Sequence, residues 1–174
     1  MNEPVLHIVL YQPEIPGNAG AVGRTCVALG AKLWMVRPLG FHVSDRRVRR
    51  AGLDYWEHLD LEIVDDWETL CSRLPAAAPW LGLGPGLGPG LGPWLFSKKA
   101  CRAYTDAEYR RGDVLVFGSE TQGLPPSLRD ALAERCLCIP IREEARSLNL
   151  SVSVGIAAYE ARRQIVAAGG DRRG

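Results

Sequence analysis

The chain has 174 residues, of which 47% are hydrophobic and 24% charged, and its formal net charge is +1. That length suits one domain around a single core, and the composition is that of an ordinary globular protein, which excludes fibrous and disordered classes. No apolar run approaches the roughly 20 residues that cross a bilayer, Met1-Asn2-Glu3-Pro4 lacks the basic-then-apolar pattern of a secretory leader, and near-neutral charge gives no global argument for nucleic acid.

Five cysteines, Cys26, Cys71, Cys101, Cys136 and Cys138, are dispersed, odd in number and free of any CxxC pair. Neither a disulfide framework nor a zinc ribbon is expected, no metal is required, and a reducing, cytoplasmic compartment is the natural reading. None stands beside an obvious base, so thiol catalysis is not expected. His7, His42 and His58 lie far apart without ligand spacing, which points to structural or surface roles.

In chain order, Val5–Tyr11 is an apolar run of strand length. Pro13 and Pro16 forbid helix continuation. Asn18 can then cap a helix to about Leu29, with Gly30 ending it. Lys32–Val36 reads as the next strand, stopped by Pro38, and the order strand, helix, strand predicts a βαβ unit with a parallel sheet. Arg46–Ala51 reads as a short surface helix, and Asp65 or Asp66 opens another that ends near Leu74. Pro75–Pro79 is a connector. Trp94–Ser97 and Val114–Phe117 read as strands, the second after the turn-prone Gly112-Asp113. Pro125–Arg135 is a helix with proline in its first turn, Cys136–Ile141 the last strand, and Asn149 or Ser151 caps a final helix to about Ile165. The whole predicts one α/β domain over 1–168 and a flexible tail over 169–174.

Residues 82–93 are three tandem copies of Gly-Leu-Gly-Pro. Their glycines fall only on even positions and their prolines prevent the helix a GxGxxG fingerprint must open, so the segment reads as a loop insertion. Arg46, Arg47, Arg49 and Arg50 form a dense basic run, which suits phosphates through paired hydrogen bonds. A solvated face remains the alternative, because Arg outnumbers Lys throughout and Lys occurs only at 32, 98 and 99.

Three segments follow predicted strands, where open α/β sheets bind ligands. In Pro16–Arg24, Gly17, Gly20 and Gly23 allow either close approach to a ligand or close helix–sheet packing. Arg24, early in a helix, opposes the macrodipole, which favours a functional role. Gly118–Pro125 places a carboxylate, Glu120, between glycines, as a cofactor loop or as an ordinary turn. Arg146–Val152 offers Ser147, Asn149 and Ser151, of which capping explains one.

NxGxxxRTC at Asn18–Cys26, GSETQGL at Gly118–Leu124 and SLNLSVSV at Ser147–Val154 resemble, in this order, the three motifs of the SPOUT methyltransferases, TrmH-like branch. Val9–Pro16 and Arg49–Tyr55 narrow the likeness to the TrmL-type tRNA wobble-nucleotide 2′-O-methyltransferases, and the match runs from Val5 to about Gln164. Two departures are the Gly-Leu-Gly-Pro insertion and Ser97-Lys98-Lys99-Ala100, which lacks a glycine expected after its strand. The resemblance implies an α/β knot, with a trefoil in the C-terminal half, a rare exception to unthreaded chains. It implies S-adenosylmethionine bordered by Phe96, Gly118, Ile139, Ser147 and Leu148, with Glu120 near the reacting end, and S-adenosylhomocysteine as product. It also implies a homodimer, with tRNA crossing between subunits against the basic run and Arg146. Arg24 would activate the ribose hydroxyl or orient a phosphate, with Asn18 and Asn149 positioning the ribose. Val154, Ala157, Ala158 and Ala161 form a small-residue stripe suited to packing between subunits.

Three alternatives follow. One is a 2′-O-methyltransferase of another tRNA position or of rRNA, against which the first strand starts too near Met1 to leave an RNA-binding extension. Another is a nucleotide-binding oxidoreductase, disfavoured by the missing GxGxxG and by Arg37 where a carboxylate is needed. The last is a non-catalytic RNA-binding module.

Overall fold

The apolar run from Val5 enters a sheet as strand β1, His7–Tyr11, in the computed structural model, which describes residues 3–43, 53–74 and 93–169. Helix α1 (Pro16–Leu29), strand β2 (Lys32–Val36), a 3₁₀ turn (Leu53–His58), strand β3 (Leu61–Val64) and helix α2 (Trp67–Arg73) follow. Then come β4 (Pro93–Phe96), β5 (Val114–Phe117), helix α3 (Pro126–Ala131), β6 (Cys136–Leu137) and helix α4 (Leu150–Ala167), with 3₁₀ turns at Tyr104–Asp106 and Ala133–Arg135. The strands pair in parallel in the order β3-β2-β1-β5-β4-β6. This is the parallel α/β sheet that the sequence predicts.

Helices cover both faces of the sheet, which is why its strands read as continuous apolar runs. Ile8, Leu10, Leu115 and Phe117 pack with Val22 and Cys26 of α1 and with Val154 and Ala158 of α4. Val9, Val114 and Val116 pack with Trp67 and Leu70 of α2 and Leu128 of α3. Each fully buried aliphatic side chain contributes about 1.5–3 kcal/mol. The stripe Val154, Ala157, Ala158 and Ala161 is fully buried in this core, so it seats α4 within its own chain and not against a partner.

Local chemistry sets the element ends, in places differently from the sequence reading. Helix α1 starts at Pro16, not after Asn18, with Ile15 as its cap residue and no side-chain cap. Proline suits that first position because its missing N–H would be unpaired there anyway. Gly30, in the left-handed conformation (φ 67°), closes α1 through its N–H to Cys26 and Val27 carbonyls. Asp66 caps α2 by accepting from Thr69 N at 2.7 Å. Helix α3 stops at Ala131, where Leu132 leaves helical backbone (φ −121°, ψ 37°). β6 ends at Leu137, because Cys138 pairs instead with Ala103 and its N–H goes to the Arg102 carbonyl. Strand β3 has no counterpart in the sequence reading. The expected helix over 46–51, the connector over 75–79, residues 82–92 of the repeat and the tail past Gly169 lie outside the described residues.

Candidate active site

Because the strands are parallel, the loops after β1, β4, β5 and β6 all leave one edge of the sheet. Gln12, with a left-handed backbone (φ 52°), turns the chain out of β1 and sets Glu14 and Ile15 against the loop after β5. That loop folds back on itself: Gly123 N donates to the Ser119 carbonyl at 2.9 Å. A Cβ on Gly118 would lie 2.0 Å from the Gly123 carbonyl carbon and 2.2 Å from Leu124 N, so only glycine permits the return.

The return presents Glu120, and three distant segments meet there. Glu120 accepts from Glu14 N (2.8 Å), Ile15 N (3.2 Å) and Asn18 Nδ2 (2.8 Å). Thr121 Oγ1 donates back to Glu14 Oε1 at 2.6 Å. Asn149 Nδ2 donates to Asn18 Oδ1 at 2.8 Å. Asn149 Oδ1 caps α4, accepting from Ser151 N (2.9 Å), Ser151 Oγ (2.7 Å) and Val152 N (3.4 Å). Asn18 is therefore not the cap of α1. It lies inside the helix, 7% exposed, and bridges two other motifs.

Beside this cluster opens a cleft of about 690 Å³, within the usual range for small-molecule sites. Phe96 and Phe117, stacked with centroids 4.6 Å apart and planes at 13°, line it with Ile139 and Leu148. Gly118, Glu120, Ser147, Asn18 and Asn149 also line it. Lys98, Lys99 and Arg146 add positive charge, and Lys98 Nζ donates to the Arg146 carbonyl at 3.1 Å. Sequence reasoning missed Phe117, Lys98 and Lys99. The position of Phe117 at the carboxyl end of a strand is a signal that could have found it.

Arg24 is not among the cleft residues. It is exposed on α1, its guanidinium carbon 5.3 Å from the centroid of the Tyr55 ring. Gly23 serves packing, since a Cβ there would stand 3.0 Å from Leu59 Cδ2 and 3.3 Å from Trp56. Arg46, Arg47, Arg49 and Arg50 lie outside the described residues.

The opposite edge of the sheet holds other ionisable groups. Trp34 Nε1 donates to His7 Nδ1 at 3.1 Å, and burial, aided by the Lys32 charge, lowers the imidazole pKa to about 4. Asp113 Oδ2 accepts from Arg110 N (2.8 Å) and Trp94 Nε1 (3.1 Å), yet burial dominates and raises its pKa to about 6. Burial pushes the thiol of Cys71 to about 11 and that of Cys26 higher still. Among the described residues, no group of three or more His, Cys, Asp or Glu is placed to hold a metal. Nor is any helix among them long and apolar enough to cross a membrane.

The sequence profile of the SpoU rRNA Methylase family matches residues 5–159. The chain belongs to this family. The three motif segments that meet at Glu120 all fall within the match, and methylase membership displaces the oxidoreductase alternative. A relative from Methylovorus glucosotrophus (strain SIP3-4), the tRNA (cytidine(34)-2′-O)-methyltransferase, is 39% identical over 158 residues, covering 90% of this chain and 94% of its own. A solved structure described as giving insight into 2-OH methylation of C/U34 on tRNA is 45% identical, with TM-score 0.79, covering 93% of this chain and 97% of that one. An AdoMet-bound rRNA methyltransferase from Sinorhizobium meliloti is 26% identical with TM-score 0.75, over 93% of this chain and 57% of that longer one.

Proposed function

We propose that the protein transfers a methyl group from S-adenosylmethionine to the ribose 2′-oxygen of nucleotide 34 of a tRNA, releasing S-adenosylhomocysteine. The observation that carries this reading is the cleft. It gathers three methylase motifs, the first more than 100 residues from the bonded residues of the other two, beside a cavity of cofactor size, in a chain 39% identical to a tRNA 34 methyltransferase. The relatives support the substrate and the AdoMet-bound relative supports the cofactor.

The residues present fit that cofactor. Phe96, Phe117, Ile139 and Leu148 offer apolar contact for an adenosine, and the bare backbone of Gly118 lets a ligand approach closely. When bound, S-adenosylmethionine supplies an electrophilic methyl on a cationic sulfonium. A ribose hydroxyl is a poor nucleophile, so the protein must hold it in line and see its proton removed. Asn18 and Asn149 orient the ribose. Arg24 is effectively always protonated, so it holds a phosphate and stabilises the developing alkoxide better than it serves as a base.

Since Arg24 stands away from its own cleft, a second copy of the chain supplies it, and the protein works as a homodimer. Val152 and Tyr159, 48% and 54% exposed and seven residues apart on one face of α4, give that pairing an apolar surface. Lys98, Lys99 and Arg146, with the run Arg46, Arg47, Arg49 and Arg50, meet phosphates. A single domain over 1–168, a C-terminal knot and a cytoplasmic location belong to the same reading.

Methyl-labelled S-adenosylmethionine, given with separated tRNA and rRNA pools, tests it. Label at nucleotide 34 of tRNA is expected. Label in rRNA alone would make the protein an rRNA methylase, and RNA retention without transfer would make it a binding module. Light scattering at micromolar concentration should give a dimer mass; a fully active monomer would contradict the role given to Arg24.

A further inference from the structure

The hydrogen bonds around Glu120 run in one direction, and that direction has a chemical consequence. Asn149 spends its Oδ1 on Ser151 N, Ser151 Oγ and Val152 N, so its Nδ2 must face Asn18. Asn18 then accepts with Oδ1, and its Nδ2 needs an acceptor, which Glu120 Oε1 provides. A carboxylate is acceptor-only, so it cannot tolerate the reverse polarity. The entry of α1 arrives at the same group, through Glu14 N and Ile15 N. Both oxygens of Glu120 are therefore occupied by donors of the chain itself. Asn149 Nδ2 gives one N–H to Asn18, and among the described residues nothing accepts the second, while Asn149 lines the cleft.

Resting on the methyl-transfer reading for what the cleft holds, we infer that Glu120 is a positioning residue and not a counter-charge for the sulfonium: it fixes the polarity of the Asn18–Asn149 relay so that Asn149 offers an N–H donor to a ribose hydroxyl oxygen of the target nucleotide. A donor at that place can hold the oxygen in line but cannot take its proton. Proton removal therefore belongs to another group.

Three variants test this in the full-length protein. Glu120→Gln keeps the size but turns one acceptor into a donor. Asn18→Asp sets two carboxylates face to face. The double variant remakes that link in the opposite direction: the new amide donates to the new carboxylate, which still accepts from Asn149 Nδ2, while Ile15 N, which shares Glu120 Oε1 with Asn18, loses its acceptor. Each single change should lower single-turnover methyl transfer by roughly tenfold, and the double should recover part of that loss, a coupling expected only of groups in direct contact. Calorimetry with S-adenosylmethionine and with S-adenosylhomocysteine separates the two roles of Glu120. A positioning residue leaves the ratio of the two affinities unchanged in Glu120→Gln. A counter-charge would weaken the cationic ligand selectively, and that result would overturn the inference, as would a double variant no better than the worse single one. Side-chain amide hydrogen exchange in the wild-type protein decides the relay without any variant or activity. Slow exchange at Asn18 Nδ2 supports it, and fast exchange there overturns it. Absence of methyl transfer by the wild type, with slow exchange retained, would sink the methyl-transfer reading and leave the relay standing.

Discussion

The two edges of the sheet both carry polar groups among apolar neighbours, and they use them differently. At the amino edge, His7 meets Trp34, and Asp113 meets Trp94 and the Arg110 N–H; these partners close on one another within the fold. At the carboxyl edge, Glu120, Asn18 and Asn149 also pair with one another, but beside an open cleft of about 690 Å³ with cations at hand. Polar groups at the amino edge govern stability and its pH dependence. Those at the carboxyl edge leave donors for a ligand. Perturbed pKa values alone would have pointed to the other edge, because the shifts of His7 and Asp113 come first from burial and neither residue lines the cleft.

The largest expected effect breaks the comparison if it fails. Arg24→Ala should lower methyl transfer by on the order of 10²–10³, as for loss of one charge-stabilising donor, while S-adenosylhomocysteine affinity and melting temperature stay unchanged. Arg24→Lys should rescue poorly at every pH if paired hydrogen bonds to a phosphate matter, because lysine lacks the planar fork. Recovery that grows with pH would assign Arg24 to proton removal instead. Rapid-quench rates across pH, with calorimetry beside them, separate these results.

Next is the loop that shapes the cleft. Gly118→Ala should cost on the order of 3 kcal/mol, since its Cβ would land on Gly123 and Leu124 backbone. Urea unfolding measures it, and a cost below about 0.5 kcal/mol would mean the loop can yield.

A smaller effect belongs to the amino edge. Folded Asp113 holds its proton up to about pH 6, against 3.8 for the ordinary group, so its contribution to stability is present at low pH and is lost as pH rises through that window. Folded His7 is lowered to about 4 from 6.5, so its contribution is present above 6.5 and is lost as pH falls toward 4. The two slopes oppose one another between pH 4 and 6. Asp113→Asn keeps an acceptor for Trp94 and Arg110 and removes one slope. The variant should therefore lose stability on acidification more steeply than the parent, by at most about 1.4 kcal/mol per pH unit. Urea midpoints at three pH values check this, and parallel curves would contradict it. The smallest effect is Gly17→Ala, whose Cβ meets nothing within 4 Å in α1 and should stabilise by about 0.5–1 kcal/mol.

Much of the fold was legible because its signals are local. Lys32–Val36 and Val114–Phe117 are compact apolar runs, and Gly30 marks the end of α1. What stayed hidden depends on partners far away in sequence. Asn18 reads as a cap, since nothing nearby says that Glu120 satisfies the start of α1 from more than 100 residues away. The small-residue stripe of α4 reads from the sequence as a subunit surface, and only its packing with α1 shows it to be a core seam. β3 is a short strand with Leu61, Glu62 and Ile63 only partly buried, so its apolar signal is weak. The three motif segments were legible as a set, whereas the direction of the hydrogen bonds joining them was not.

The central claim is that the carboxyl edge presents a ribose hydroxyl of nucleotide 34 to a bound methyl donor. A tRNA carrying 2′-deoxyribose at nucleotide 34, compared with the same tRNA in all-ribose form, tests it most directly. With methyl-labelled S-adenosylmethionine, the all-ribose tRNA should accept one methyl per molecule and the deoxy tRNA none, although it should still compete for binding. Equal labelling of the two tRNAs would contradict the claim.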